Sequence, residues 1–351
     1  MINVIEEKIL NRDRLTKEEG LYLFSLPIFT LGRLANMRLE SLVEKPNERS
    51  YIKNRMINYA NTCLAKCKFC AFHSEAGIIP TFKMTDDEIF EQVETSVAKG
   101  ATQIMLQGGL SNDYNIAWAI NLAKRIKNTF KDLSLHIFSP SEIIYFSKAS
   151  RLKISEALRQ LRDAGVASVP GAADLLVDEF RKDLSPLKPT RNEWQEVILE
   201  MAKLGMKSSA TMTFAMGETF ADRIEHLDFV RGTQDISNCF EAFIAWPLAP
   251  ENTGLNHLRR TSSVDFLKTL AISRIYLDNI VNIQSGWLTE GLNIAQLSFD
   301  FGANDFGGIL MDEMVIKSAG IENSATEEKV CDMIRAIGKI PFERNANYKK
   351  L

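Results

Sequence analysis

From Met56 onward the chain alternates short apolar runs with longer stretches whose apolar residues recur every three to four positions. The short runs, at 56–62, 102–107, 134–139, 166–169, 208–214, 240–246, 280–285 and 294–299, predict strands. The longer ones, at 85–99, 114–130, 154–164, 191–204, 221–235 and 263–279, predict amphipathic helices. One of these opens on Thr85-Asp86-Asp87 and another is followed by Gly165, the usual start and stop signals. Strand and helix in alternation define βαβ units and a parallel sheet, because a parallel connection needs a crossover. Eight strands over this length predict an α/β fold, a (β/α)8 TIM-type barrel, which typically takes about 250 residues. A doubly wound open sheet is the alternative.

Residues 1–50 carry a helical pattern instead. Thr16-Lys17-Glu18-Glu19 is a helix start, apolar positions follow at Leu21, Phe24, Ile28 and Leu31, and Pro27 breaks the run into two short helices. No Gly/Ser linker or low-complexity segment divides the chain. The expected organisation is therefore a helical extension over 1–50, a barrel over 51–340 and a tail over 341–351.

Charge changes this picture only by exclusion. Lys and Arg total 42 against 45 Asp and Glu, a formal net charge of −3. That balance gives no electrostatic support for a nucleic-acid or anionic-membrane surface. No stretch approaches the roughly 18 apolar residues of a membrane span. The first residues hold two acids and no apolar signal core, so a cytoplasmic protein acting on a small molecule is expected.

The cysteines change it far more. Three of the five, Cys63, Cys67 and Cys70, stand within eight residues in a Cys-x3-Cys-x2-Cys run after the first barrel strand. In a barrel that loop lies at the C-terminal face, where catalytic groups collect. An odd, tight cluster of thiols points to a metal or redox centre rather than to disulfides. Three thiolates suffice for three irons of a [4Fe–4S] cluster, leaving the fourth iron open to a small molecule. The competing reading is a zinc staple with His73 as fourth ligand. Thiol–disulfide exchange would leave the third cysteine without a role. Cys239 and Cys331 stand alone and read as small buried hydrophobes.

These residues resemble the signature of radical S-adenosylmethionine (SAM) enzymes, with Phe69 as the aromatic before the last cysteine. Further blocks resemble one subgroup, whose members make menaquinone precursors by the futalosine route or the deazaflavin of coenzyme F420. They include Asn58-Tyr59-Ala60-Asn61-Thr62-Cys63, Leu106-Gln107-Gly108-Gly109, Phe138-Ser139-Pro140-Ser141-Glu142, Asp183-Leu184-Ser185-Pro186, Gly217-Glu218-Thr219, Phe243-Ile244-Ala245-Trp246-Pro247 and Phe301-Gly302-Ala303-Asn304-Asp305. Within the subgroup the blocks are most similar to the cyclases of dehypoxanthinyl futalosine. Aminofutalosine synthases and the deazaflavin-forming enzymes are the sibling alternatives. The chain departs from the subgroup at Pro170-Gly171-Ala172-Ala173-Asp174, at Asp235-Ile236-Ser237-Asn238-Cys239-Phe240 and at His73.

The resemblance implies a [4Fe–4S] cluster on Cys63, Cys67 and Cys70, bound SAM, and a reducing electron donor. It implies a substrate of nucleoside-benzoate type. A 5′-deoxyadenosyl radical would take the C4′ hydrogen of its ribose, and the carbon radical would attack the benzoate ring. For SAM it implies Phe69 beside the cofactor, Gln107, Gly108 and Gly109 against the methionine ammonium, Asp174 on the ribose hydroxyls, and Arg181 on the methionine carboxylate. Taken by themselves, the glycines also suit a strand-to-loop turn, Asp174 a helix start and Arg181 an exposed helical position. Candidate substrate contacts are Ser139 and Ser141, which equally suit a turn around Pro140, together with Glu218, Trp246, Asn304 and Asp305 at strand ends. Met212 and Met216 read as packing residues. His136, within a strand, and His226, within a helix, read as structural histidines, and no general base is assigned.

Overall fold

The computed structural model describes residues 1–309 and 314–351. Three helices lead: α1 (Ile2–Leu10), α2 (Lys17–Leu23) and α3 (Ile28–Leu42), with Pro27 at the start of α3 as the break expected from its ring. They pack into the main body through Leu31, Leu34 and Ala35, so the extension is part of the core. Then come β1 (Glu48–Ile52), β2 (Asn54–Asn58), α4 (Asp86–Ala98), β3 (Gln103–Gln107), α5 (Ile116–Thr129), β4 (Ser134–Ile137), α6 (Pro140–Ala149), α7 (Ile154–Asp163) and β5 (Val166–Val169). The second half runs α8 (Asp178–Leu184), α9 (Arg191–Lys203), β6 (Lys207–Phe214), α10 (Phe220–Ser237), β7 (Phe240–Pro247), α11 (Ser263–Tyr276), β8 (Asn282–Ile283), α12 (Trp287–Ser298), β9 (Asp305–Gly308), α13 (Met314–Ser318), α14 (Glu327–Ala336) and β10 (Ile340–Glu343).

Strands β2 to β8 form one parallel sheet in sequential order, and β10-β1-β9 a second, with every named pairing parallel. A bridge from Gln284 to Asp305 joins β8 to β9. Only Lys53 separates β1 from β2, so the pairing of β1 with β9 brings the two ends of the curled sheet together. This is the TIM-type fold. Helix starts are set locally: Thr16, Thr85, Ser139, Thr190 and Thr219 each form a reciprocal capping box with the acid three residues on.

The sheet's alternation decides where the cavity lies. In β6 the residues Ser208, Ala210, Met212 and Phe214 are buried, and the last three belong to the apolar core. Ser209, Thr211 and Thr213 alternate with them and face the lumen. Short polar side chains there leave open space where an ordinary barrel packs branched apolar residues.

Three expectations need correction. Residues 294–299 are helical, because Ala295, Ser298 and Phe299 are buried at a spacing of three and four, which places one helix face on the core. The last strand of the ring is β9 instead. Residues 341–351 are not a tail: β10 pairs with β1, and Arg344 forms a buried ion pair with Asp305. The strand expected over 134–139 stops at Ile137, since Ser139 caps α6, a helix the apolar pattern did not separate from it. No described helix is long and apolar enough to cross a membrane.

Candidate active site

The loop after β2 carries the three clustered cysteines and is pinned on several sides. Leu64 N–H donates to the Leu110 carbonyl at 2.8 Å, Gly109 N–H to Ala60 at 2.9 Å and Lys68 N–H to Leu184 at 2.9 Å. Asn61, fully buried, accepts from Phe82 N–H at 2.9 Å and donates to the Pro80 carbonyl at 3.1 Å. Gly109 is obligatory: a Cβ there would stand 2.1 Å from the Thr62 carbonyl oxygen.

Cys63, Cys67 and Cys70 all line one cavity of about 360 Å³ at the C-terminal ends of the strands. Volumes of this order suit small-molecule ligands. Phe69, Gln107, Gly108, Gly109, Ser139, Ser141, Asp174 and Trp246 share its wall, so the barrel brings these sequence candidates together. Leu110 N–H donates to Cys63 Sγ at 3.4 Å. Burial pushes the Cys67 thiol up to about 12 and raises that of Cys70, even though backbone donors at Phe72 and His73 favour the Cys70 thiolate. A buried thiol releases its proton readily only to a partner that replaces the charge, which is what a metal centre does. Among the described residues no three His, Cys, Asp or Glu side chains are grouped to hold a single ion, His73 included.

Asp174 stands after β5 in the left-handed region (φ 52°), which aims its carboxylate at the cavity. It accepts a 2.6 Å ion pair from Lys188, itself only 15% exposed and 5.7 Å above the Phe69 ring. Burial opposes the Lys188 charge, yet Asp174 and Cys67 hold its pKa above the ordinary value. Lys188 escaped the sequence reading because a lysine in the Pro186-Leu187-Lys188-Pro189 loop has no periodicity to mark it. Arg181 does not line the cavity. It donates to the carbonyls of Ala173 (2.9 Å), Leu175 (3.4 Å) and Pro189 (2.7 Å), bracing the loop that carries Asp174.

Three other candidates also have different places. The Glu218 side chain is buried and folds back onto Ala215 N–H and Met216 N–H, both at 2.7 Å, and onto Arg223 at 2.8 Å. Asn304 accepts from Arg274 and from Ile283 N–H, both at 2.8 Å, and Asp305 is buried against Arg344. Because the last strand begins at Asp305, these two residues sit at its N-terminal end, away from the cysteines. Met212 and Met216 are packing residues, and His226 Nδ1 accepts from Leu176 N–H at 2.9 Å, as a structural histidine does. Glu142 is a further member that the sequence left unassigned. Its buried carboxylate, with its pKa raised by burial, accepts from Tyr59 OH (2.7 Å), Gly108 N–H (3.1 Å) and Ser139 N–H (2.6 Å), fixing the glycine turn on the cavity wall.

Residues 57–230 match the family described as the Radical SAM superfamily, and residues 237–351 match the CofH/MqnC C-terminal region. Fold, thiol loop and match together define a radical SAM enzyme, a class that works with a [4Fe–4S] cluster and SAM. The chain is 36% identical to a cyclic dehypoxanthine futalosine synthase from Halalkalibacterium halodurans, over 99% of this chain and 94% of that one. It is equally 36% identical to a 5-amino-6-(D-ribitylamino)uracil–L-tyrosine 4-hydroxyphenyl transferase from Methanosarcina barkeri, over 99% and 95% of the two chains. This chain belongs to the family those enzymes share, the CofH/MqnC branch of the radical SAM superfamily. Among solved structures, methylornithine synthase superposes with a TM-score of 0.75 at 18% identity, over 96% of this chain and 97% of the other. The hydrogenase maturase HydG from Carboxydothermus hydrogenoformans also gives 0.75, at 14% identity, over 99% and 81%. At those identities the likeness concerns the fold.

Asp174→Asn is expected to leave the iron content intact and to weaken SAM binding about tenfold. A hydrogen bond from a ribose hydroxyl to an ionised carboxylate contributes about 1.5–3 kcal/mol, and about 1.4 kcal/mol is tenfold in affinity. Equilibrium binding of SAM under anaerobic conditions measures it. An unchanged dissociation constant would make Asp174 only the partner of Lys188.

Proposed function

We propose that this enzyme cyclises dehypoxanthinyl futalosine to its cyclic form in menaquinone biosynthesis. The supporting observation is the meeting of three thiols, the Gly108-Gly109 turn, Asp174 and Trp246 on one cavity, in a chain that aligns from end to end with cyclic dehypoxanthine futalosine synthases. In this reading Cys63, Cys67 and Cys70 hold the cluster, while the backbone at Gln107 to Gly109 and the Asp174 carboxylate hold SAM. When bound, the two supply a 5′-deoxyadenosyl radical. That chemistry would join the substrate's ribose C4′ to its benzoate ring with two hydrogen atoms removed in all, one to form 5′-deoxyadenosine and one as a proton with its electron passed to the oxidised cluster. The chain's own contribution is placement. Trp246, Ile244 and Met105 form an apolar wall that holds the substrate and excludes water, so that the reacting carbons stay within contact distance. Free thiols and a reduced cluster suit the cytoplasm and a low-potential electron donor.

The test is an anaerobic incubation of the iron-loaded protein with reductant, SAM and dehypoxanthinyl futalosine, read by mass spectrometry. A product two hydrogens lighter than the substrate, formed with 5′-deoxyadenosine, supports the reading. Conversion only of 5-amino-6-(D-ribitylamino)uracil with tyrosine would assign the transferase reaction instead.

His73 separates the metal readings independently of turnover. His73→Ala is expected to retain its iron and to show a spectroscopic change on adding SAM, with at most a partial loss of rate. Loss of all metal from this variant would restore the zinc reading.

A further inference from the structure

Beneath the cysteine cavity the lumen holds a second chamber, of about 100 Å³, open to a few heavy atoms. Its character is the opposite of an ordinary barrel interior. Asn54, Gln103, His136, Ser168 and Gln284 line it, and Tyr348 from the C-terminal segment closes its lower side. It shares Met105, Ser209, Ile244, Trp246 and Leu288 with the cysteine cavity, so one layer of side chains is common to both.

Two of its groups are poised for a ligand. Asn54 is 5% exposed and spends its amide N–H on Gln103 (3.2 Å) and Met105 Sδ (3.3 Å), while its buried Oδ1 has no partner among the described residues. A buried acceptor without a donor has given up its water for nothing unless something fills the place. His136, also buried, shares a 2.7 Å hydrogen bond between Nδ1 and Ser168 Oγ. Burial, with the nearby Arg344 charge, pushes its pKa down to about 3, so the ring is neutral and Nε2 is a donor or an acceptor according to tautomer.

The charges of the chamber decide the class of ligand. Arg344 is already forked onto Asp305 at 2.8 and 2.9 Å. Lys207 is held by the Asn238 carbonyl at 2.9 Å and by Glu241 at 3.4 Å. Among the described residues no cation lining the chamber is left over for an anion, whereas Asn54 Oδ1 wants a donor and His136 accepts either role. An alcohol satisfies both.

We infer that this chamber receives hydroxyl groups of the substrate's uncharged sugar or polyol, whose reacting carbon lies on the Trp246 side, facing the cysteine cavity. The inference rests on the function proposed above for that cavity, and assigns Asn54, His136 and Ser168 as the groups that read the hydroxyls. Its consequence is that these hydroxyl contacts lie apart from the SAM contacts, so the two affinities separate under mutation.

Anaerobic equilibrium binding without reductant tests it, because no turnover occurs. Wild-type iron-loaded protein with SAM is titrated with dehypoxanthinyl futalosine and, separately, with 5-amino-6-(D-ribitylamino)uracil, both of which carry hydroxylated carbons. For whichever compound binds, Asn54→Leu and His136→Phe are expected to weaken it at least tenfold, with SAM affinity and iron content unchanged. Ser168→Ala, which removes a single hydroxyl and endangers folding least, is expected to weaken it about threefold. Wild-type affinity for the substrate in folded Asn54→Leu or Ser168→Ala protein would overturn the chamber assignment and leave the function standing. Binding of neither compound to wild-type protein would overturn the function, and the chamber assignment with it.

Discussion

Cys67→Ala protein is expected to purify without its cluster and to release no 5′-deoxyadenosine, and Cys63→Ala and Cys70→Ala to behave alike. Each thiolate would hold a different iron, so no neighbour substitutes for a lost one. The geometry sharpens the expectation for Cys67, the most buried of the three, because Ala there leaves the cavity wall with neither charge nor ligand. Iron and sulfide analysis of anaerobically prepared protein should fall from about four of each per chain to near zero. Cys239→Ala and Cys331→Ala are the controls. Cys239 is buried in the core with its thiol on the Met206 carbonyl, and Cys331 packs on the inner face of α14. Both should keep activity within a few-fold of wild type. A cluster lost from Cys239→Ala would break the three-ligand assignment, and a cluster kept by Cys67→Ala would break it equally.

Much of this site was legible because its signals are local. The spacing of Cys63, Cys67 and Cys70 needs no tertiary information, and glycines at the end of a strand announce a close approach that Gly109 then shows. The strand–helix alternation placed every one of these groups at one end of a barrel, so their convergence followed from topology alone. What escaped depended on contacts far apart in sequence. Arg181, on α8, and Lys188, in the loop after it, carry the same charge, and only the fold shows that Arg181 gives its hydrogen bonds to carbonyls and stays 3.8 Å from Asp174 while Lys188 meets it at 2.6 Å. Glu218 looked like a mouth residue because it follows β6, but a carboxylate two and three residues from free N–H groups folds back onto them. Asn304 and Asp305 were misplaced through one error of register. Reading 294–299 as the last strand put them after its end, whereas they stand at the start of the true strand, and strand direction alone reverses the face they occupy. The error was physical in origin: a short apolar run with Ala and Ser suits either element until its burial period is known.

That reversal gives Asp305 a structural role whose removal carries the second large effect. Arg344→Met is expected to destabilise the protein by about 3–5 kcal/mol, the range for leaving one charge of a buried pair alone. Asp305 is fully buried at the start of β9. It accepts both arms of the Arg344 fork, Ser50 Oγ at 2.7 Å and Tyr348 OH at 3.3 Å, and Arg344 lies 3.6 Å above the Tyr348 ring. These contacts tie the C-terminal segment to β1 and β9, the strands that bring the ends of the sheet together. Without Arg344 the carboxylate must stay charged in a site that no longer solvates it, or take up a proton. The paired substitution Arg344→Met with Asp305→Leu removes both charges and should recover most of the loss, since a well-packed apolar pair is often as stable as the ion pair it replaces. Urea unfolding of the iron-loaded protein, followed by far-ultraviolet circular dichroism, reads the midpoint of each variant. A single substitution costing under about 1 kcal/mol, the scale of an exposed ion pair, would mean that the segment merely rests on the barrel. A double variant no better than the single would assign the loss to the Tyr348 and Ser50 contacts rather than to the buried charge.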